Sequence, residues 1–412
     1  MDIENDSFEM DGDFLKGVAP VNVEHTELKL KDEFAPWHKP RKQWIRDKQW
    51  AALIGALIDR LKLQESGRSL DYLSLPGLDL LDVRALEETL TAKRVKIKYL
   101  GLNHISEEDK ESRAELNLSE NEVRALDFVE QGSLVISEQF EKIADHQSIA
   151  GGRVLQEHKT FDVVNVDLCA SFADKKPGTS SSLYQAIYKL IMHQSFYRSE
   201  DWLFLITTRT DKKKVDFDAL KVLLNTAFET VSEDIIQEFL SGKAGVDLNK
   251  IKSKDFSQGD LTTDQHRTCF TSSLSIWKST SLLQGEAKSS SKLCPMVGYH
   301  VESTDAVADM VSMAFWCSRL PLVAHDKSGL SGASINKKAQ TPEQVHNAQA
   351  RRAFERSLQC IDLDEYLEKN PDEYRESLER SKNLLKKARY SIDRYDEWVE
   401  QQKRRAHEMI GR

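Results

Sequence analysis

The sequence predicts an α/β fold with a doubly wound, mostly parallel sheet and a C-terminal helical hairpin or coiled-coil extension. Between residues 70 and 231, short apolar runs typical of fully buried strands alternate with helical patterns. This alternation indicates βαβ units, which form parallel sheets. The chain of 412 residues is 40% hydrophobic and 30% charged, which supplies enough apolar side chains for a sizeable core. After residue 343 the chain is charged, poor in glycine and helical in pattern.

The elements of the sheet domain follow one another in a regular order. Their predicted bounds are strands at 70–75, 95–102, 161–168 and 202–208, and helices at 82–92, 119–131, 137–148, 182–198 and 217–231. A short apolar run at 134–136 separates two of these helices. After residue 232 the pattern loosens, and we expect three further strands, at 269–277, 292–303 and 310–320.

Changes in composition divide the chain into five segments. Residues 1–30 are acidic and predict a mobile arm, and residues 31–64 form a basic, aromatic segment that runs into an amphipathic helix. Residues 65–322 make up the α/β domain. A stretch rich in Ser, Gly and Lys at 323–342 predicts a linker, and 343–412 is the helical extension.

The helical extension contains a short heptad repeat. Leu378, Leu385, Ile392 and Val399 recur every seven residues, as in a coiled-coil seam. Two outcomes are open at this stage: a helical hairpin with residues 345–368, or pairing with a protein partner or a second copy of the chain.

Composition excludes several classes of protein. No window approaches the ~18 consecutive apolar residues that a membrane span requires, and the acidic N-terminus lacks the features of a signal peptide. We therefore expect a cytoplasmic protein with no membrane partner. The net charge of -9 argues against a protein that coats nucleic acid, although a local basic groove remains compatible with it. The five cysteines are scattered without a metal-binding spacing, so we expect buried thiols and no metal.

Polar residues near the ends of the predicted strands are the candidate catalytic residues. In an open parallel sheet, ligands bind outside the carboxyl ends of the strands. Asn165 and Asp167 lie on one face near the end of the run FDVVNVDL, and Arg209 follows the next strand. A charged residue in this setting needs a partner or faces an opening. An ion pair between Asp167 and Arg209 is the structural alternative to a catalytic role.

The ends of the first two strands supply candidate cofactor contacts. Pro76 and Gly77 follow the first strand, where glycine would let the chain turn tightly beneath a cofactor. Asn103 follows the second strand, where a polar side chain would reach ribose hydroxyls or simply form a turn. Asp82 is a plausible N-cap of the helix after the first strand.

Cations and aromatic rings alternate in the segment before the sheet, namely Trp37, His38, Arg41, Lys42, Trp44, Arg46 and Trp50. This pattern suits single-stranded nucleic acid, in which bases stack on aromatic rings and phosphates meet cations. Arg41 and Lys42 could equally bind the phosphates of a nucleotide. The structural alternative is that the tryptophans pack on the core and the cations face solvent.

These strand ends resemble those of class I S-adenosylmethionine-dependent methyltransferases, which are Rossmann-like. The resemblance runs through LDYLSLPGLDLLDVRAL, VKIKYLGLN, FDVVNVDLCASF and WLFLITTR, roughly between residues 65 and 320, and the third stretch is loosely similar to that of tRNA guanine-N2 methyltransferases. The chain also resembles methyltransferase-like proteins of bacterial defence gene clusters. The resemblance implies that Pro76, Gly77 and Asp79 line the methionine side of S-adenosylmethionine, that Asn103 meets the ribose, and that Asp167 marks the reaction edge.

The chain departs from the pattern of that family in its motifs. The first loop has a single glycine, Gly77, the second strand ends in Asn103 instead of an acidic residue, and no proline or aromatic residue follows Asp167 in the expected place. Two hypotheses follow. The first is a methyltransferase-like protein that binds S-adenosylmethionine or a related nucleotide and acts on or binds nucleic acid. The second is a catalytically degenerate adaptor of an antiphage-type multi-protein system that docks a partner through its C-terminal helices.

Overall fold

The computed structural model describes residues 30–157, 160–174, 183–285, 287–302, 307–321 and 340–410. For residues 406–410 it describes the backbone without the side chains. The predicted arm at 1–30 and the predicted linker at 323–342 therefore lie almost entirely outside the described residues. None of the described helices combines the length and the apolar character that a membrane crossing needs.

The centre of the molecule is a nine-stranded, mostly parallel sheet, which confirms the predicted fold class. Eight strands follow the order β3-β2-β1-β4-β5-β8-β7-β9, and β6 pairs with β8 beside this path. Pairs among β1 to β5 are parallel, whereas β8 runs antiparallel to β5, β6 and β7. The bounds are β1 Leu70–Ser74, β2 Ile97–Leu102, β3 Leu134–Ile136, β4 Val163–Asp167, β5 Trp202–Arg209, β6 Ser289–Leu293, β7 Val297–Tyr299, β8 Met310–Arg319 and β9 Ile361–Asp362.

The helices of seven or more residues cover both faces of the sheet and form the C-terminal part. They are α1 Ala52–Leu61, α2 Glu87–Lys93, α3 Lys110–Arg124, α4 Leu183–Tyr197, α5 Phe217–Thr230, α6 Thr263–Gln284, α7 Pro342–Leu358, α8 Leu363–Lys369, α9 Pro371–Lys387 and α10 Tyr395–Ile410. Shorter α-helices are Pro40–Trp44, Leu63–Ser66, Leu81–Arg84, Ile149–Gly151, Glu233–Ile236 and Leu248–Ile251. π-Helical segments span Ile45–Ala51, Gly152–Glu157 and Gln237–Lys243, and 3₁₀ turns span Pro36–His38, Phe140–Ala144 and Gln258–Asp260.

Strand β4 shows how the sheet divides the core into two layers. Val164 and Val166 pack into one hydrophobic cluster together with residues of α4, α5 and α6, whereas Val163 packs into the other with residues of α1. Side chains alternate between the two faces of a strand. Asn165 therefore lies on the same face as Val163, and Asp167 follows on that face at the carboxyl end. The parallel register sets Ser74 beside Asn165 and Asp167 beside Thr207.

The prediction of a strand at 269–277 is wrong, because these residues lie inside helix α6. Threonine, phenylalanine, isoleucine and tryptophan raise the strand propensity of the run, but Ser and Thr hydroxyls here bond the carbonyl four residues back. Thr271 Oγ1 donates to Arg267 O at 2.9 Å, and Ser272 Oγ donates to Thr268 O at 2.6 Å. The helix is buried on nearly all sides, so the sequence lacks the amphipathic period that would identify it.

Three further elements differ from the sequence prediction. The strand expected at 292–303 is divided into β6 and β7. The helix expected at 119–131 lies earlier, at Lys110–Arg124, and the one expected at 137–148 is only the 3₁₀ turn Phe140–Ala144. Element ends are the least certain part of a pattern-based prediction, and here the cap by Asp109, whose side chain accepts from Ser112 N, starts the helix early.

The C-terminal helices pack on the sheet domain. Helix α7 lies along α6, and Phe354 stacks on Phe239 with ring centroids 5.5 Å apart. Strand β9 pairs with β7. In the heptad repeat, Leu385 and Val399 are buried in a cluster with Leu81, and Leu378 and Ile392 are partly buried against it. The heptad side chains therefore meet residues of their own chain.

Candidate functional site at the carboxyl edge of the sheet

Strands β1 and β4 end beside each other and hold a buried chain of hydrogen bonds. Asn165 Nδ2 donates to Tyr72 Oη at 2.8 Å, and Tyr72 Oη donates to Asp82 Oδ2 at 3.1 Å. Burial raises the pKa of both Tyr72 and Asp82, because the charged form of each loses hydration. The chain fixes the Asn165 amide and the Asp82 carboxyl group next to the edge where ligands bind in this class of sheet.

Asp167 is paired with Lys42 from the segment before the sheet. Lys42 Nζ donates to Asp167 Oδ1 at 2.6 Å, and the lysine side chain is only 4% exposed, against 24% for the aspartate. The same Nζ lies 4.6 Å from the ring centroid of Trp50 and 6.0 Å from that of Tyr299. Burial lowers the pKa of Lys42, and the charge of Asp167 opposes that shift. The structural alternative predicted from the sequence was an ion pair between Asp167 and Arg209. In the structure the partner of Asp167 is Lys42 instead.

Arg209 lies at the same edge but turns away from Asp167. Its guanidinium forms ion pairs with Asp211 and Asp309, both at 2.9 Å, and with Glu302 at 3.3 Å. Asp211 follows β5 directly, whereas Glu302 and Asp309 lie between β7 and β8. The pairing of Arg209 is structural, so the structure does not bring it together with Asn165 and Asp167.

A second cation, Arg46, lies near Asp167 and Asp82. It is 5% exposed, and its Nη2 donates to Trp37 O at 3.2 Å. Burial lowers its pKa, which the charges of Asp167 and Asp82 oppose. The Asp82 carboxyl group interacts with the hydroxyls of Tyr72 and Ser74. Two buried polar atoms of this group, Arg46 Nε and Asn165 Oδ1, have no hydrogen-bond partner among the described residues. Each such atom costs about 1–3 kcal/mol of stability unless something satisfies it.

Some of the residues predicted to contact a cofactor already bond other groups of the protein. Asn103 Nδ2 donates to Pro76 O at 2.7 Å, which ties the ends of β2 and β1 together. A Cβ on Gly77 would meet nothing within 4 Å, so space is open beside it. Asp79 accepts from Tyr390 Oη at 2.8 Å and also pairs with Lys31. Pro76, Gly77 and Asn103 thus lie together at the edge, while Asp79 is bonded to residues from outside the sheet.

Most of the basic, aromatic segment points into the molecule. His38, Arg41, Lys42 and Arg46 are buried, and the structural alternative with solvated cations is wrong for these four side chains. Burial, followed by the charges of Arg46 and Lys31, lowers the pKa of His38 to about 3, so this imidazole is neutral at physiological pH.

The remaining residues of that segment anchor it to the C-terminal helices or face outward. Arg41 Nη1 donates to Asp364 Oδ1, and Trp44 Nε1 donates to Glu373 Oε2, both at 2.8 Å. Trp37 is 47% exposed. The segment therefore closes over the carboxyl edge, and its nucleic-acid role stays a prediction.

Sequence reasoning missed Tyr72 and Tyr299, whereas the interior position of Trp50 agrees with the alternative in which tryptophans pack on the core. A signal was present in the spacing of Lys42, Arg46 and Trp50, which follow at intervals of four and so share one face of a helix. In the structure the helical stretch that begins at Pro40 directs this face toward β4 and β7.

One group of metal-ligand type also forms, although no metal was expected. His300, Asp362 and Asp364 have ligand atoms within 4.8 Å of one another. Each is already engaged: His300 Nε2 and Asp362 Oδ2 are 3.0 Å apart, and Asp364 accepts from Arg41 and from His300 N. The guanidinium of Arg41 would repel a cation at this position.

The strand order, the antiparallel β8 beside β5 and the polar group at the carboxyl edge define a protein with a Rossmann-like, methyltransferase-like fold. The chain belongs to the PP_RS20740-like family, whose sequence profile matches residues 31–400.

Two solved structures align with the chain over much of their length. One is a Staphylococcus aureus protein assigned as a caffeoyl-CoA O-methyltransferase, at 7% identity and a TM-score of 0.25, covering 64% of this chain and 81% of that one. The other is a Galdieria sulphuraria protein assigned as a sarcosine dimethylglycine methyltransferase, at 13% identity and a TM-score of 0.27, covering 68% and 87%. At these TM-scores the fold assignment rests on the strand order. No curated protein matches the chain.

Proposed function

We propose that this protein is methyltransferase-like in function as well as in fold and binds S-adenosylmethionine, or a related nucleotide, at the carboxyl edge of its sheet. The observation that supports this most is the presence of two unpaired, buried polar atoms at this edge, Asn165 Oδ1 and Arg46 Nε. One acceptor and one donor complement a ligand that has both cationic and anionic groups.

The residues at the edge fit the amino-acid end of this cofactor. The unpaired oxygen of Asn165 and the nearby carboxyl group of Asp82 suit its ammonium and sulfonium groups, and Arg46 Nε suits its carboxylate. The open space beside Gly77 lets a ligand approach the main chain closely. Asn103 would meet the ribose through its amide oxygen, because its amide nitrogen already bonds Pro76 O. When bound, the cofactor would supply an electrophilic methyl group.

Other residues of the chain would orient the reacting group and exclude water. Asp167 accepts a hydrogen bond from an amine, as its contact with Lys42 demonstrates. The Tyr72 hydroxyl holds the Asn165 amide in one orientation. The segment from His38 to Trp50 covers the edge and keeps solvent out, which strengthens electrostatic contacts there. Trp37 is exposed at the start of this segment and is the aromatic contact we assign to a nucleic-acid substrate.

A second candidate is the degenerate adaptor, which one specific observation favours. Asp167 and Asp79, the two acidic residues expected to act on substrate or cofactor, are both paired within the chain, with Lys42 and with Tyr390 and Lys31. In this form the protein would use its methyltransferase-like fold to dock other proteins of an antiphage-type bacterial system, without methyl transfer.

Titration calorimetry with S-adenosylmethionine distinguishes the two candidates. We expect measurable binding by the wild type and an affinity at least about tenfold lower in Asp82→Asn and Asn165→Leu, a loss of about 1.4 kcal/mol or more. Asp71→Asn is the matched control, because Asp71 lies near the amino end of β1, away from the carboxyl edge of the sheet. It should bind as the wild type does. An absence of binding heat in the folded wild type at several temperatures would leave the adaptor as the better candidate.

A further inference from the structure

The environment of Lys42 differs from that of an ordinary ion-paired lysine. Its Nζ meets a carboxylate at the end of a central strand, Asp167 Oδ1 at 2.6 Å, and lies near the faces of two aromatic rings, Trp50 and Tyr299. Trp50 Nε1 in turn donates to Ser312 Oγ at 3.4 Å on β8, which holds the indole in place. The amine is thus enclosed by one acceptor and two ring faces at the edge where this class of sheet binds its ligands.

Each of these features suits an amine that receives a methyl group. Aromatic faces attract cations and are the general means by which proteins bind methylated ammonium groups. The carboxylate of Asp167 orients the amine. Burial lowers the pKa of Lys42, and the charge of Asp167 opposes this shift. The lowered pKa favours loss of the proton, which gives the neutral, nucleophilic amine.

We propose that Lys42 is a modification site, and that the protein methylates the ε-amine of this residue in cis. This inference rests on the proposed function and deepens it, because it names a lysine amine of the chain itself as the group that accepts the methyl. The donor is a sulfonium compound of the S-adenosylmethionine class.

The step balances without an oxidant or a reductant. Lys42 Nζ first gives up a proton to Asp167, whose side chain is 24% exposed and so passes the proton to solvent. The lone pair of Nζ then forms a bond to the methyl carbon. The carbon–sulfur bond breaks and its electron pair stays on sulfur, which leaves a neutral thioether. The positive charge passes from sulfur to nitrogen, and the methylammonium group stays beside Asp167 and Trp50.

The neighbouring Lys48 provides a matched control. It lies in the same helical stretch, but its side chain is 40% exposed and pairs with Glu376 at 3.1 Å on helix α9. It is away from Asp167, so the proposal predicts no methyl group on it.

Peptide mapping by mass spectrometry tests the proposal on the full chain. The first measurement is the mass of the peptide with Lys42 in protein as purified from the producing cells. The second is the same peptide after incubation with isotopically labelled S-adenosylmethionine. We expect a methyl group on Lys42 in the wild type, at least a tenfold lower yield in Asp167→Asn, and an unchanged yield on Lys42 in Lys48→Arg.

The dependence of the methylation rate on protein concentration tests the proposal even if Asp167→Asn does not fold. A transfer in cis gives the same fraction of methylated wild-type chain over time at two protein concentrations that differ by a factor of ten. A rate that rises with protein concentration overturns transfer within one chain. Undiminished methylation in a folded Asp167→Asn variant overturns the assignment of the site.

Calorimetry separates this inference from the proposed function. Binding of S-adenosylmethionine without any methyl group on Lys42, as purified or after incubation, overturns the inference and leaves the proposed function standing. An absence of binding by folded, unmethylated wild type, with no methylation of Lys42, overturns both.

Discussion

At the scale of single residues, the contact between Lys42 and Asp167 dominates the carboxyl edge. A lysine that is 4% exposed loses most of its hydration, and the carboxylate compensates for that loss only while both partners are present. Removing Asp167 alone leaves a buried cation without its partner. Removing both replaces an ion pair by apolar groups, which is often nearly neutral.

We predict that Asp167→Ala lowers the free energy of unfolding by somewhat less than the roughly 3–5 kcal/mol typical of a broken buried pair, because Asp167 is partly exposed. The double variant Lys42→Met, Asp167→Leu should recover most of this loss. Urea denaturation followed by circular dichroism measures both. The exposed pair of Lys48 and Glu376 is the control, and Lys48→Met should cost about 1 kcal/mol or less. A loss in Asp167→Ala as small as in that control would contradict the argument.

At the scale of elements, helix α6 is the clearest case in which the sequence pattern predicts the wrong kind of element. Most of its residues are buried, including serines and threonines along its whole length. Most of these hydroxyls bond a carbonyl of the preceding turn, which lets polar side chains pack in a core. Ser273 is an exception, since its Oγ is buried without a hydrogen-bond partner among the described residues.

We predict that Ser273→Ala raises the free energy of unfolding by about 1 kcal/mol, because the change removes an unsatisfied buried hydroxyl and introduces the residue with the highest helix propensity. Ser275→Ala is the matched control on the same helix, because Ser275 Oγ donates to Thr271 O at 2.7 Å. It should gain less, since it gives up a formed hydrogen bond. Thermal unfolding by calorimetry measures the difference. An equal or larger gain in the Ser275 variant would refute this explanation.

At the scale of the whole molecule, the C-terminal segment is part of the packing of the sheet domain. Phe354 is fully buried against Phe239, and the hydroxyl oxygens of Thr271 in α6 and Ser357 in α7 lie 3.0 Å apart. Strand β9 extends the sheet beside β7, and α9 packs on the helical stretch that carries Lys42. The segment thus supports both the core and the cover of the carboxyl edge.

We predict that removing residues 341–412 abolishes cooperative unfolding of the sheet domain, because it exposes the face of α6 that α7 covers and removes β9. Phe354→Ala should lower the free energy of unfolding by about 3–5 kcal/mol without abolishing cooperativity. Urea unfolding monitored by tryptophan fluorescence and circular dichroism reports on both variants. A truncated chain that unfolds cooperatively would instead establish residues 343–412 as a separate unit.

The central strands and the place of the candidate site follow from local patterns in the sequence. The bounds of β1, β4 and β5 follow from short apolar runs, a local property of the chain. The same runs put Asn165 and Asp167 on one face at the carboxyl end of β4. Helix α6 escaped prediction because burial on nearly all sides removes the period on which such a prediction depends.

The contacts of these residues depend on how distant parts of the chain pack together. Lys42 reaches Asp167 across 125 positions of the chain, and Tyr390 reaches Asp79 across 311. Strand and helix patterns arise from neighbours along the chain, whereas ion pairs and aromatic contacts depend on how the finished elements pack. For this reason the sequence placed an aspartate at the edge of the sheet, and the fold turned that edge into an enclosed site with a lysine of the chain inside it.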